Sequence, residues 1–318
     1  MNKNIVILKG LIYQSALEFL WNEGFVGVPY AGITNATGSC EAVSNVFTLN
    51  EERFQTLSQT VQLHLERDIF LNGLPRMFST NRSYRRDNKQ WVSDGRHLND
   101  FELLETEALD TDMKWLLKHC KDLLNYIFIT VLNVSSKHGL LTPHEHHNLY
   151  IYYEKGFKII TYTDAVEVLK TKFKIEWGED LSSAYESFLV DYYDQNLMIT
   201  RYPEKIKFFN MKLVREDPPE RQTCECVDVI LKNSGESIGG SVREYDYDIL
   251  KKRLDEGTMI TQLRELKNMH DGKPDEVNAM FDDYLNLFKN NPVERAGMGL
   301  GFGRVLQFVM GTKDIIPF

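Results

Sequence analysis

Toward the end of the chain stands Gly297-Met298-Gly299-Leu300-Gly301-Phe302-Gly303-Arg304. In a strand, successive side chains point to opposite faces. Glycine at every second position therefore strips one face bare, while Met298, Leu300 and Phe302 fill the other. A bare strand face leaves room for a flat ligand such as adenine. Arg304, at the start of the apolar helix that follows, is placed to reach a phosphate. The spacing is GxGxGxG and not the GxGxxG of a dinucleotide-binding turn. Taken alone, the segment fits a glycine-rich turn without a ligand equally well.

Two other stretches carry chemistry of the same kind. Cys226–Leu231 and Glu236–Ile238 read as extended segments around a turn that contains Gly235, followed by Gly239-Gly240-Ser241-Val242-Arg243. Asp228 and Glu236 are hard oxygen ligands suited to Mg²⁺ beside nucleotide phosphates. Gly239-Gly240 lets a ligand approach the backbone. The second stretch is a hairpin: a strand over Arg76–Tyr84, a charged turn at 86–95, and a return strand from Asp100 to Glu107. Arg85 at its base offers a planar fork for phosphate, and Phe101 offers a ring for a base. Exposed acids in a turn and a solvated hairpin are the simpler readings of each stretch by itself.

Composition narrows the field. The 318 residues hold 37 Lys+Arg against 46 Asp+Glu, a net charge of −9, which excludes binding nucleic acid by bulk charge. The most apolar run, Leu123 to Val134, is twelve residues long and holds Asn125 and Asn133. A membrane span needs roughly 20. Four scattered cysteines (Cys40, Cys120, Cys224 and Cys226) lack zinc spacing and suit a reducing cytoplasm. His144-Glu145-His146-His147 follows Pro143 in an expected loop and has no distant partner for a metal.

Helical spacing is expected over Ile12–Glu23, Thr60–Phe70, Asp112–Asn133, Thr163–Thr171 and Tyr247–Glu256, with short strands at Phe25–Pro29 and Phe47–Leu49. Helices mixed with hairpin strands predict an α+β fold around an antiparallel sheet.

Together and in this order, the three stretches resemble motifs 2 and 3 of the class II aminoacyl-tRNA synthetases, with the metal-binding strands between them. Pro29 resembles the motif 1 proline. Lys158–Ala165, Glu176–Leu181 and Tyr202–Phe209 place the resemblance in the asparaginyl and aspartyl branch. It implies one catalytic domain over 1–318: an antiparallel sheet flanked by helices, with motif 1 at about 11–30, motif 2 at about 76–107 and motif 3 at about 296–318. No room is expected for the branch's anticodon-reading barrel. The resemblance also implies a homodimer packed around Pro29.

Site roles carry over by position. Arg85 would hold the ATP α-phosphate and the amino-acid carboxylate, and Arg304 the γ-phosphate. Phe101 would stack on adenine, and Asp228 and Glu236 would bind Mg²⁺. Asp87, Arg96 and His97 of the hairpin join the ATP set. Glu41 and Glu105 match acids near the substrate amino group. Gln62, Ser241 and Arg243 belong to the substrate pocket, with Arg243 on the side-chain oxygen. Glu66 stands where the aspartyl enzymes carry lysine. A carboxylate there accepts from an amide and repels a second carboxylate, so asparagine is favoured over aspartate.

The sequence also departs from the family pattern. Gly303 replaces a glutamate, and Asn45 another. Asn210 replaces a tyrosine. Asn286-Leu287-Phe288 replaces Asp-Leu-Arg, and Pro292-Val293-Glu294-Arg295 stands where a Pro-His pair is usual. The expectation is an ATP-dependent, AMP-forming ligase that activates asparagine, aspartate or an analogue for a nucleophile other than tRNA. Ammonia-dependent asparagine synthesis, residual tRNA charging and a non-catalytic amino-acid sensor are the alternatives.

Overall fold

A computed structural model describes residues 3–38, 43–50, 54–86, 98–270, 276–289, 291–312 and 314. Its strands are β1 (Val26–Gly27), β2 (Ile33–Thr34), β3 (Thr48–Asn50), β4 (Gln55–Leu57), β5 (Arg76–Tyr84), β6 (Asp100–Leu109), β7 (Phe157–Thr161), β8 (Asn196–Thr200), β9 (Cys226–Leu231), β10 (Gly235–Val242) and β11 (Arg295–Gly301). Among the described residues, eight form one sheet in the order β1-β5-β6-β11-β10-β9-β8-β7. From β5 across to β8 every neighbour pair is antiparallel; the two edge pairs, β1 with β5 and β7 with β8, are parallel. A smaller sheet, β2-β4-β3, lies apart from it. The expected α+β architecture is present, with parallel edges that the hairpin pattern could not reveal.

The glycine strand shows why the sheet has two unlike faces. Met298 and Leu300 are fully buried with Leu104, Val229 and Ile238 of neighbouring strands. They pack beneath three helices: α1 (Lys3–Asn22), α3 (Met113–His138) and α11 (Phe302–Val309). Gly297, Gly299 and Gly301 point the other way. Row by row, Gly299 lies between Glu105 of β6 and Gly239 of β10, and Gly239 in turn pairs with Asp228 of β9. Two acids thus stand at the ends of a glycine-floored trough.

The remaining helices are α2 (Gln62–Leu71), α4 (Pro143–Lys155), α5 (Tyr162–Leu169), α6 (Ser183–Tyr193), α7 (Tyr247–Glu256), α8 (Thr258–His270), α9 (Glu276–Ala279) and α10 (Asp282–Lys289). α5 and α6 pack on β8 and β9 through Ala165, Val166, Leu189, Leu197 and Ile230. α7, α8 and α10 gather around Phe209 and Phe281. No helix among the described residues is long and apolar enough to cross a membrane.

The loop expected at His144–His147 is helical. Pro143 opens α4: Thr142 accepts from the Glu145 backbone N–H, while Glu145 accepts from the Thr142 N–H at 2.7 Å. Proline at the first helical position loses no hydrogen bond, and this reciprocal cap nucleates the turn. Among the described residues no cluster of His, Cys, Asp and Glu could hold a metal with three of its members.

Candidate active site

The trough is built by five adjacent strands, β5, β6, β11, β10 and β9, each bringing one part. β5 ends at Tyr84, and the next residue, Arg85, is held by its backbone N–H donating to the Asn99 carbonyl at 2.9 Å. Its guanidinium stands 5.0 Å over the Phe101 ring at the start of β6. The expected phosphate fork and stacking ring are therefore a contacting pair. Arg304, in the first turn of α11, donates from Nη1 to the Ser234 carbonyl at 2.8 Å in the β9–β10 turn. Asp87, Arg96, His97 and Glu41 lie outside the described residues.

A register shift between Glu236 and Ile238 decides the acid pair. Glu236 and Gly239 are three residues apart and would face opposite sides of a regular strand. The bulge adds one residue and returns Glu236 to the trough side. A Cβ on Gly239 would sit 2.8 Å from Glu236 Oε1 and 3.8 Å from Asp228 Oδ1, so both carboxylates lean over the same bare backbone. Two hard oxygens above an open glycine fit Mg²⁺, which binds through one or two carboxylates and substrate phosphates. Lys207 already brings a positive charge to this place. Its Nζ donates to both Asp228 oxygens at 3.0 and 2.7 Å and lies 4.1 Å from the Tyr202 ring centroid. Burial pulls the Lys207 ammonium down, but Asp228 together with Cys226 and Glu236 outweighs it and holds the group above its ordinary range. Behind Glu236, buried Glu186 of α6 accepts from the Glu236 N–H at 3.2 Å. Burial pushes the Glu186 carboxyl up to about 7.

The glycines divide the floor. A Cβ on Gly297 would collide with the Glu107 carboxylate, so that position is already filled from β6. Gly299 and Gly301 are partly exposed, and a Cβ on Gly299 would meet nothing nearer than Glu105 Cγ at 3.7 Å. The open part of the floor is therefore the stretch beside Phe101 and Arg304.

Beyond Gly297 lies a buried charged cluster. Arg243, 2% exposed, donates from Nε and Nη2 to Glu107 at 3.1 and 2.5 Å, from Nη1 to Ser241 Oγ at 2.7 Å, and from Nη2 to Gln62 Oε1. Burial pushes the Glu107 carboxyl up, while Arg243 opposes. Glu105 accepts from Thr60 Oγ1 and from the Val61 N–H at 3.0 Å, and burial raises it as well. Glu66 is fully buried and 3.7 Å from Arg243 Nε. Its Oε2 accepts from Arg295 Nε and Nη2 at 2.9 and 2.6 Å and from the Tyr284 hydroxyl at 2.8 Å. Its Oε1 accepts from Asn210 Nδ2 at 2.6 Å.

Every described site residue expected from the sequence is thus in or beside one trough. Sequence reasoning missed Glu107, Lys207, Glu186, Tyr284 and the role of Arg295. The oddity of arginine at 295 was the one visible signal, because a fully buried arginine requires a buried acid.

A family model described as tRNA synthetases class II (D, K and N) matches residues 1–318. The chain belongs to this family. It is 32% identical to the asparagine–tRNA ligase of Thermococcus kodakarensis over 98% of its own length and 67% of that relative's. The asparagine–tRNA ligase of Deinococcus deserti is 27% identical over 99% of this chain and 69% of that protein. The solved asparaginyl-tRNA synthetase of Pyrococcus horikoshii, complexed with asparaginyl-adenylate, superposes with a TM-score of 0.81 at 29% identity, covering 98% of this chain and 66% of that one. This class II chain therefore spans about two thirds of the length of the relatives it matches.

Proposed function

We propose that this class II synthetase chain activates asparagine or a close analogue with ATP. The product is an acyl-adenylate, formed with release of pyrophosphate, and its acyl group passes to a nucleophile other than tRNA. The carrying observation is the trough itself: Arg85 on Phe101, Arg304 at the β9–β10 turn and the Asp228–Glu236 pair all border one bare strand face. In this reading an oxygen of the substrate carboxylate attacks the α-phosphorus, and the bond to the pyrophosphate oxygen breaks. Arg85 neutralises the charge that builds on the α-phosphate, and Arg304 grips the far phosphate. Asp228 and Glu236 would hold Mg²⁺, which supplies charge neutralisation on the leaving pyrophosphate. Catalysis of this type is positioning and electrostatics, which a rigid sheet provides. The net charge of −9 supports an acceptor other than a polyphosphate chain.

The test is amino-acid-dependent exchange of labelled pyrophosphate into ATP. Failure of every amino acid tested to support exchange sinks activation, and charging of tRNA sinks the acceptor half. Ammonia-dependent synthesis of asparagine from aspartate is a second reading. Arg295 favours it, because it offsets the charge of Glu66 that would otherwise repel aspartate.

A further inference from the structure

Three departures from the family pattern are Asn210 and, far from it in sequence, Phe288 and Arg295. In the fold they meet at Glu66. The Arg295 guanidinium carbon lies 3.7 Å from the Phe288 ring centroid, so that ring backs the arginine while its Nε and Nη2 bind Glu66 Oε2. With the Tyr284 hydroxyl, Oε2 has three donors, more than its lone pairs accommodate well. Asn210 occupies the other oxygen. Glu66 is thereby committed to the protein.

What this leaves open is informative. Asn210 is 1% exposed, and its Oδ1 is buried with no hydrogen-bond partner. Gln62 Nε2 is likewise buried and unpartnered. Charge fixes both amides. Turning Asn210 over would set its oxygen on the Glu66 carboxylate, and turning Gln62 over would set its NH₂ on the Arg243 guanidinium. Glu66 and Arg243 are themselves 3.7 Å apart, so the unpartnered acceptor and the unpartnered donor flank one ion pair. The Asn210 backbone is held too: its carbonyl accepts from the Glu244 N–H at 2.7 Å, and Met211 bridges to Arg243.

We infer that Asn210 Oδ1 reads the amide nitrogen of the substrate side chain, and that Glu66, clamped by Arg295, is the positioning residue that turns this oxygen away from its own carboxylate. Gln62 Nε2 supplies the matching donor to the side-chain carbonyl. A primary amide satisfies both groups. A carboxylate satisfies Gln62 but leaves Asn210 facing a second acceptor with no proton between them. The inference rests on the activation reading only for the name of the ligand; it concerns binding and is tested by binding.

The experiment is calorimetric titration of the whole chain with asparagine and with aspartate, for the wild type, Asn210→Leu and Glu66→Gln. The wild type should bind asparagine at least about tenfold more tightly than aspartate. Asn210→Leu should bring that ratio close to one by weakening asparagine and not aspartate, and Glu66→Gln should lower it by freeing the Asn210 amide to turn. A merely structural role would weaken both ligands alike. If Asn210→Leu shows no cooperative melting, Asn210→Ala, which adds no bulk, replaces it. An unchanged ratio in the folded variant, a wild-type preference for aspartate, or no binding of either acid overturns the inference. Binding with this preference but without pyrophosphate exchange overturns only the proposed function.

Discussion

Arg295 and Glu66 show how much one buried pair can decide. Both are fully buried, and their hydrogen bonds are two-pronged. Removing the arginine alone strands a carboxylate in the interior. Arg295→Leu should therefore cost about 3–5 kcal/mol in urea unfolding, whereas the double replacement with Glu66→Leu should recover most of that loss. Glu186 makes a different statement about single residues. Its folded carboxyl titrates at about 7, raised by burial above the ordinary 4.5. Between those values the folded chain keeps a proton that the unfolded chain has lost. The contribution is complete below pH 4.5, declines as pH rises, and is gone above about 7. Glu186→Gln keeps the acceptor for the Glu236 N–H without the proton. Thermal melts from pH 5 to 8.5 should fall more steeply for the wild type than for Glu186→Gln, by roughly 2–3 kcal/mol across the range. The same slope in both would sink this assignment. At this scale the sequence was legible where a residue's neighbours in the chain share its task, as with Arg85 and the hairpin. It was illegible where a partner comes from far away: Glu66 and Arg295 are separated by 229 positions.

The glycine strand, β11, separates packing from binding along its own length. Gly297→Ala should disrupt the Glu107–Arg243 pair and destabilise the fold by about 1–3 kcal/mol. Gly299→Ala meets only ordinary contact and should leave the melting temperature nearly unchanged. It should instead raise the KM for ATP in pyrophosphate exchange, because the methyl group stands on the open floor. Equal stability losses in the two variants would contradict this division. The alternating glycines announced a bare face, but not that one end is filled by a neighbour's acid. The bulge in β10 was also invisible: nothing in Glu236-Ser237-Ile238 marks an extra residue, yet it brings Glu236 beside Asp228. Pro143 misled for a related reason. A proline breaks a helix only inside it, and the Thr142–Glu145 reciprocal cap was the signal that it stood at the beginning.

For the molecule as a whole, order along the chain and order across the sheet are different things. β5, β6, β11, β10 and β9 are neighbours, so the hairpin, the last strand and the acid pair converge although β5 ends at Tyr84 and β11 begins only at Arg295. That convergence is what the family resemblance supplied and local pattern could not. The outer surface points to a second copy of the chain. Of the exposed large apolar side chains among the described residues, Tyr150, Ile159, Tyr192 and Met269 are scattered, whereas Val6, Ile7, Trp21, Ile33, Leu49 and Leu71 all fall in the first quarter of the sequence, where the family resemblance expects motif 1. The expected solution state is a dimer, twice the 37.0 kDa of one chain, by light scattering. Trp21→Glu should shift it toward monomer; a wild-type monomer at micromolar concentration would end that expectation.

The ring of Phe288 beneath Arg295 has an evolutionary consequence. The family resemblance leads one to expect an arginine at 288, whereas this chain carries one at 295 and a flat ring where the other would stand. Restoring arginine at 288 alone would press two guanidiniums together, and losing it at 295 alone would orphan the acid. The two positions are therefore epistatic: a lineage moving between the arrangements, or a designer retracing the route, has to change them as a pair.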